Sequence, residues 1–452
     1  PPRSTPKPSS VASDVYNRPP HMLWRVKEVF KIVKRFILWN GRIAFTNGND
    51  WPWVGGPLGG YLHTHPGLFP AALGDPVGLE LVRLSLNYAD VLQRHWMDGS
   101  FYGDSIYPDS EKLRRIYGER LGSYYMEADA AAFFASAYMF DLSGRPASAA
   151  DMEKQALGVY RYRWVQLQTC RTSHMFASFT WKSLKKTPMG LVIPRNGDSF
   201  GGWIWHSLTG WLEFVDAEPV KRVISHNDQT FNKRFATTGF FLEGRREDQW
   251  LTKHCISFAT LPDERTVIIV DYVEALEDCK IRNNLGLMYT LENDLLNNNR
   301  RDIYFEGGRE IIQGYGGLAR DIEVNSNWIN VDNLITIVAP KQCTLIYHDE
   351  NRRTAPWTSS VVDWVAHPVS RKERQYCSSE LIRTGAYVLC CDVPHTEPLR
   401  TPDVNIVGKR TFIVNILGGD DKRYSVIVNF NQSETEVHNV IVNPYSCEII
   451  QS

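Results

Sequence analysis

Residues 203–231, WIWHSLTGWLEFVDAEPVKRVISHNDQTF, decide how the rest of the chain is read. Two histidines, His206 and His226, stand among aromatic and β-branched residues, with Asn227 and Asp228 directly after the second. Such residues favour pleated strands, so this stretch opens a strand-rich region. A His-Asn-Asp-Gln run on a sheet face can hold, neutralise or deprotonate a polar ligand. The same run also serves as an ordinary polar turn between strands. The neighbouring segments weigh between these readings.

Upstream, the apolar spacing is helical. Residues 22–39 place apolar side chains around basic ones, as an amphipathic helix does. A Gly- and Pro-rich segment from 46 to 78 follows, and then helices over 77–97, near 111–119, over 123–141 and over 147–167. The Gly-rich loops, rather than the helices, carry the Trp, His, Asn and Asp. From about residue 172 the period changes to two, in segments such as MFASFTWKSL, RTFIVNIL and RYSVIVNF. LPDER (261–265) reads as a hairpin turn between two strands. About 280 residues of this kind exceed one small sandwich, so large stacked antiparallel sheets are expected. The domains expected are a linker over 1–20, a helical domain over 21–170 and β-sandwich material over 171–452. No repeat of propeller or solenoid length is visible.

Composition narrows the function. The 452 residues carry 50 Lys and Arg against 51 Asp and Glu. A near-neutral chain lacks the basic field that nucleic-acid binding requires. An anionic ligand must therefore meet a local cluster of Arg, Asn and His. With 14 Trp, some aromatics can stack on the apolar faces of sugar rings, although most are expected in the core. No apolar run is long enough for a transmembrane helix, so no membrane partner is expected. The N-terminal PPRSTPKPSS has no apolar signal region and reads as a Pro/Ser linker, which leaves room for an upstream segment. The eight Cys include no CxxC pair, so free buried thiols are expected for most.

A helical domain followed by large antiparallel sheets resembles the heparinase II/III-type polysaccharide lyases. Short motifs sharpen the likeness: Ser225-His226-Asn227-Asp228-Gln229 on a strand, Asn49 in NGNDWPW, and Tyr102 in DGSFYGD, 53 residues later, with Tyr107 nearby. The resemblance implies an (α/α) toroid, stacked β-sandwich sheets and an active site in the cleft between them. With only about five helices legible, the toroid here is expected to be incomplete. The chain also has one His where the family's Gly-His-x-His has two.

The chemistry the resemblance implies is β-elimination on a uronic acid. The C5 proton is weakly acidic until donors neutralise the adjacent carboxylate. A base then removes it, and an acid protonates the leaving glycosidic oxygen. Asn49 is the candidate neutraliser, in a stiff turn with Asp50, Trp51 and Trp53, where the two Trp could stack on sugar; an Asx turn with both Trp in the core is the plainer alternative. Tyr102 is the candidate acid, with Tyr107 and Tyr124 competing. His226 is the leading base, followed by His206. His63 and His65 alternate on the Gly-rich loop, but no third metal ligand is evident, so they read as substrate-binding or plain loop residues. Arg195 can pair with a carboxylate, and Asn227 can contact substrate. No cofactor is expected; structural calcium or zinc is compatible with the sequence but not called for.

Two other classes remain open on sequence. A glycoside hydrolase would use paired carboxylates, for which Asp50, Asp98, Asp104, Glu127 and Asp129 are available. A non-catalytic carbohydrate-binding protein would account for the aromatics without His226. The substrate expected is an anionic polysaccharide or oligosaccharide. Such polymers do not cross membranes, so a secreted or periplasmic location is expected.

Overall fold

In the computed structural model, residues 20–39, 67–93, 144–183, 187–197, 208–293, 300–313, 322–340, 345–348, 361–396, 402–408 and 410–451 are described, with Gly41, Ala44, Ala135, Tyr138, Met139 and Leu142 standing singly. The chain divides into two compact units. One comprises Pro1–Ala44 and Trp53–Ala156, the other Phe45–Pro52 and Leu157–Ser452.

The first unit is helical where it is described. α1 (Pro20–Val33) runs into a 3-10 turn at Lys34–Phe36, a few residues short of the expected 22–39. α2 (Leu68–Ala72) is short, and α3 (Pro76–Gln93) matches the start of the expected 77–97 helix. Asp75 sets where α3 begins. Its Oδ1 accepts the N–H groups of Val77 and Gly78 at 2.9 and 3.2 Å, with Pro76 in the first helical position. The other carboxylate oxygen of Asp75 accepts from Lys34 Nζ at 2.8 Å. Phe30, Ile37, Val77, Leu81 and Ala147 form the small core of this unit. α4 (Ala149–Ala156) occupies only the first part of the expected helix 147–167. Among the described residues, these four helices do not make up the ring of helix pairs that a toroid requires. The segments expected as helices at 111–119 and over most of 123–141 lie outside the described residues.

Strands begin at residue 158, earlier than the expected change near 172. Gly158, at φ +129°, ends the helical course, and the aromatic and β-branched residues after it extend. In order come β1 (Gly158–Tyr162), β2 (Leu167–Arg171), β3 (Met175–Thr180), β4 (Met189–Pro194), β5 (Trp211–Phe214), β6 (Glu218–Phe231), β7 (Arg234–Arg246), β8 (Gln249–Thr260), β9 (Thr266–Ala275) and β10 (Cys279–Asn293). β1 to β4 form a four-stranded sheet in sequence order. A nine-stranded sheet runs from Gly308–Gln313 at one edge, through Leu381–Cys391 and then β9, β8 and β7, to β6 at the other edge. A six-stranded sheet is built around β10, and another four-stranded sheet forms from 403–451. Among the described residues the strand pairings are all antiparallel, as expected from the period-two pattern. The LPDER segment is the β8–β9 turn, where Asp263 Oδ1 accepts the N–H groups of Arg265 and Thr266.

The nine-stranded sheet is the middle layer. Ala236, Ala259, Ile268, Val270 and Val388 on one face pack against Phe412, Val414, Val426, Val428 and Cys447 of the C-terminal sheet. On the opposite face Phe235 and Phe258 stack 5.5 Å apart, and Phe258 lies 5.3 Å from Phe179 on β3. Period-two alternation lets one sheet bury both faces. Seven cysteines are described, all free, and six are buried.

Candidate active site

β6 is the edge strand of the middle sheet, so its residues divide between two environments. Gln229 faces the C-terminal sheet, donating from Nε2 to Glu448 Oε1 at 3.2 Å. Asp228 and Thr230 face the β1–β4 sheet, where Thr230 Oγ1 donates to Gln168 Oε1 at 3.1 Å. By the alternation of a strand His226 shares the face of Asp228, and Asn227 shares that of Gln229. His226 and Asn227 are therefore not brought together. Opposite His226 in the ladder is Gly239, where a Cβ would lie 2.7 Å from the His226 backbone and side chain. Only glycine lets the two strands approach so closely there.

Three side chains converge on the Asp228 carboxylate, which is 4% exposed. Thr237 Oγ1 donates to Oδ1 at 2.7 Å, and the Arg161 guanidinium lies 3.1 Å from Oδ2. His226 Nε2 stands 3.7 Å from the same Oδ2, beyond hydrogen-bond length but within strong Coulomb reach. Behind Thr237, Trp181 Nε1–H donates to its hydroxyl at 2.6 Å, and the same indole packs on the His226 ring. Burial lowers the His226 pKa below the usual imidazole value. Asp228 opposes that shift, and Arg161 reinforces it. The ring is therefore neutral at neutral pH, partly open to solvent at 19%, and backed by a carboxylate. Such an imidazole can accept a proton and be stabilised as the cation that results.

Sequence reasoning singled out His226 with Asp228 beside it, but not Arg161, Trp181 or Thr237, which surround the pair. Arg161 and Trp181 precede His226 by 65 and 45 residues, on β1 and just after β3, whose packing beside β6 carries no local signal. Arg195 follows β4, where its N–H donates to His174 O at 2.8 Å and its guanidinium to Ser173 O at 3.3 Å. That is the β2–β3 turn, at the opposite end of the four-stranded sheet from the β1–β2 turn, so Arg195 stands apart from His226. Asn49, Asp50, Trp51, Trp53, His63, His65, Tyr102, Tyr107, Tyr124 and His206 lie outside the described residues.

Two further histidine clusters were not foreseen. His174 Nδ1 is 2.7 Å from Asp392 Oδ2 at the surface, with Arg265 3.5 Å from its other ring nitrogen. In the interior, Lys221, Glu243, His254, Asp271 and Arg383 form a continuous buried row. Arg383 also donates to Asn284 Oδ1 and to the carbonyl of Leu285, each at 2.9 Å. Burial raises the Asp271 pKa, but Arg383 and His254 outweigh it and hold the carboxyl below its usual range. Every member is enclosed, so this row ties strands together rather than meeting a ligand. Among the described residues no group of three His, Cys, Asp or Glu could hold a metal ion. No described helix is long and apolar enough to cross a membrane.

Comparison with protein-family models finds no match, and comparison with curated proteins finds none either. Solved structures give remote likenesses. The chondroitin AC lyase of Streptomyces coelicolor A3 aligns over 92% of this chain and 57% of its own, at 11% identity and a TM-score of 0.44. A GH36 alpha-galactosidase from Geobacillus stearothermophilus aligns over 52% of this chain and 41% of its own, at 8% identity and a TM-score of 0.36. The galactosidase domain of an alpha-galactosidase-sucrose kinase aligns over 52% and 42%, at 6% identity and a TM-score of 0.36. In each case the chain spans less than two thirds of the other protein's length.

Proposed function

We propose that the protein cleaves a uronic-acid-containing glycan by β-elimination, with His226 as the base. The observation that carries this reading is the half-buried imidazole of His226, kept neutral by burial and backed by Asp228, Arg161 and Thr237. A base for the C5 proton must be unprotonated at working pH and must gain stabilisation on protonation. Both conditions hold at His226. Arg161, 39% exposed, has no partner besides Asp228 among the described residues, and its guanidinium suits a substrate carboxylate.

In the full reaction, neutralisation of the uronate by Arg161 and Asn49 makes the C5 proton acidic. His226 removes it, the C4–O bond breaks, and Tyr102 or Tyr107 protonates the leaving oxygen. The roles of Asn49 and the tyrosines rest on their sequence motifs. A polymeric acidic substrate places the protein outside the cell or in the periplasm. Mass spectrometry of products from alginate, polygalacturonate, hyaluronan and heparin tests the reading. Elimination yields fragments lighter by one water than hydrolysis fragments. Hydrolysis masses, or no product from any of these glycans, would overturn it.

A further inference from the structure

We propose that the tight turn between β1 and β2 is a binding subsite for an acidic glycan, with Trp164 as the platform under a pyranose ring and Arg163 as the partner of its carboxylate or sulfate. The proposal rests on the reading of the substrate class given above. Trp164 is 77% exposed, the most exposed large apolar side chain described in the strand-rich unit. Leaving an indole in water forfeits the burial that normally places Trp inside or at an interface. Among the described residues neither Trp164 nor Arg163 has a side-chain partner, so both the ring face and the guanidinium are free to meet a ligand.

The turn that presents them is stiff. It is a 3-10 turn at Arg163–Val165 closed by Gln166 in the left-handed region at φ 49°. Thr180 Oγ1 donates to the Val165 carbonyl at 3.0 Å, and the Trp181 N–H donates to the Gln166 carbonyl at 3.0 Å. A pre-ordered platform binds with less entropy loss than a mobile one. Its anchor is also the link to the reactive centre. Trp181 packs on His226, and Arg161, two residues before Arg163, contacts Asp228. Trp164 is two residues from Gln166, so its Cα lies within about 8 Å of the residue that Trp181 grips. A glycan with one uronate at His226 can therefore rest a neighbouring sugar on Trp164. An indole face with a guanidinium beside it selects a ring that carries an anionic group over a neutral one.

Affinity electrophoresis through gels containing alginate, polygalacturonate, hyaluronan or heparin tests this, with dextran as the neutral control. Wild type is expected to be retarded by at least one acidic glycan and not by dextran. Trp164→Ala should weaken that retardation by about tenfold or more. Arg163→Gln should weaken it and flatten its salt dependence. Wild-type affinity in Trp164→Ala, or no retardation of wild type by any acidic glycan, would overturn the subsite. Retardation that depends on Trp164, with no elimination product formed, would instead overturn the catalytic reading and leave the subsite standing.

Discussion

The indole of Trp181 lies against the imidazole of His226, with ring centroids 5.4 Å apart and planes 36° from parallel. Trp181 is 1% exposed and, through Thr237, also orients the carboxylate that backs the same histidine. One buried side chain thus sets both the burial and the charge felt by His226. These two influences oppose each other, since burial lowers the His226 pKa and Asp228 raises it.

Asp228→Asn should therefore move the His226 pKa further down, with Arg161 left unopposed. Titration of the imidazole by NMR reads the shift. The acid limb of kcat/KM, expected below the ordinary value of 6.5, should move to lower pH with it. The maximal rate should also fall, because the imidazolium formed on proton abstraction loses its counter-charge. An unchanged or raised His226 pKa would contradict the electrostatics described.

The same residues show what the sequence made legible. The period-two pattern and the LPDER turn identified the antiparallel sheets, because Asp263 caps its own turn and alternation is local. Asp75 and Pro76 fix the start of α3 in the same local way. Residues 158–167 were misread as helix because VYRYRWV suits either period; pairing of β1 with β2 decides it. His226 was legible in the sequence as a candidate side chain on a strand. Its environment was not, because Arg161 and Trp181 reach it only through the stacking of two sheets, and Thr237 only through the pairing of β7 with β6. The exposed Trp164 escaped notice for the same reason. Exposure is a property of the fold, not of the residue.

His367 is buried beside Tyr387, whose hydroxyl lies 2.9 Å from Nδ1, and burial with the nearby Arg383 lowers its pKa to about 4, against the pull of Asp271. The native state thus favours the neutral ring, whereas the unfolded chain takes up a proton from 6.5 downward. Stability is complete above pH 6.5 and falls as the pH drops from there to about 4, by up to about 3 kcal/mol from this group. Urea unfolding across that window should show the decline, and His367→Gln should flatten it. An equal slope in the variant would remove His367 from the account.

The buried row predicts a large stability loss. Arg383→Met leaves Asp271 without its guanidinium partner at 2.7 Å, and the remaining charge stays enclosed. Breaking one partner of a buried pair costs about 3–5 kcal/mol, well beyond a surface substitution. Denaturant midpoints should show this, and a change under about 1 kcal/mol would mean that the row is solvated in solution.

The role proposed for His226 is to remove a proton in an elimination reaction. The direct measurement follows the ultraviolet absorbance of the C4–C5 double bond as wild type and His226→Ala act on the acidic glycan that wild type cleaves. Loss of a general base typically costs about 100- to 10,000-fold in rate. The account predicts growing absorbance with wild type and a loss of that size in the variant, with its unfolding midpoint close to that of wild type. Cleavage without absorbance, or a variant that retains the wild-type rate, would contradict it.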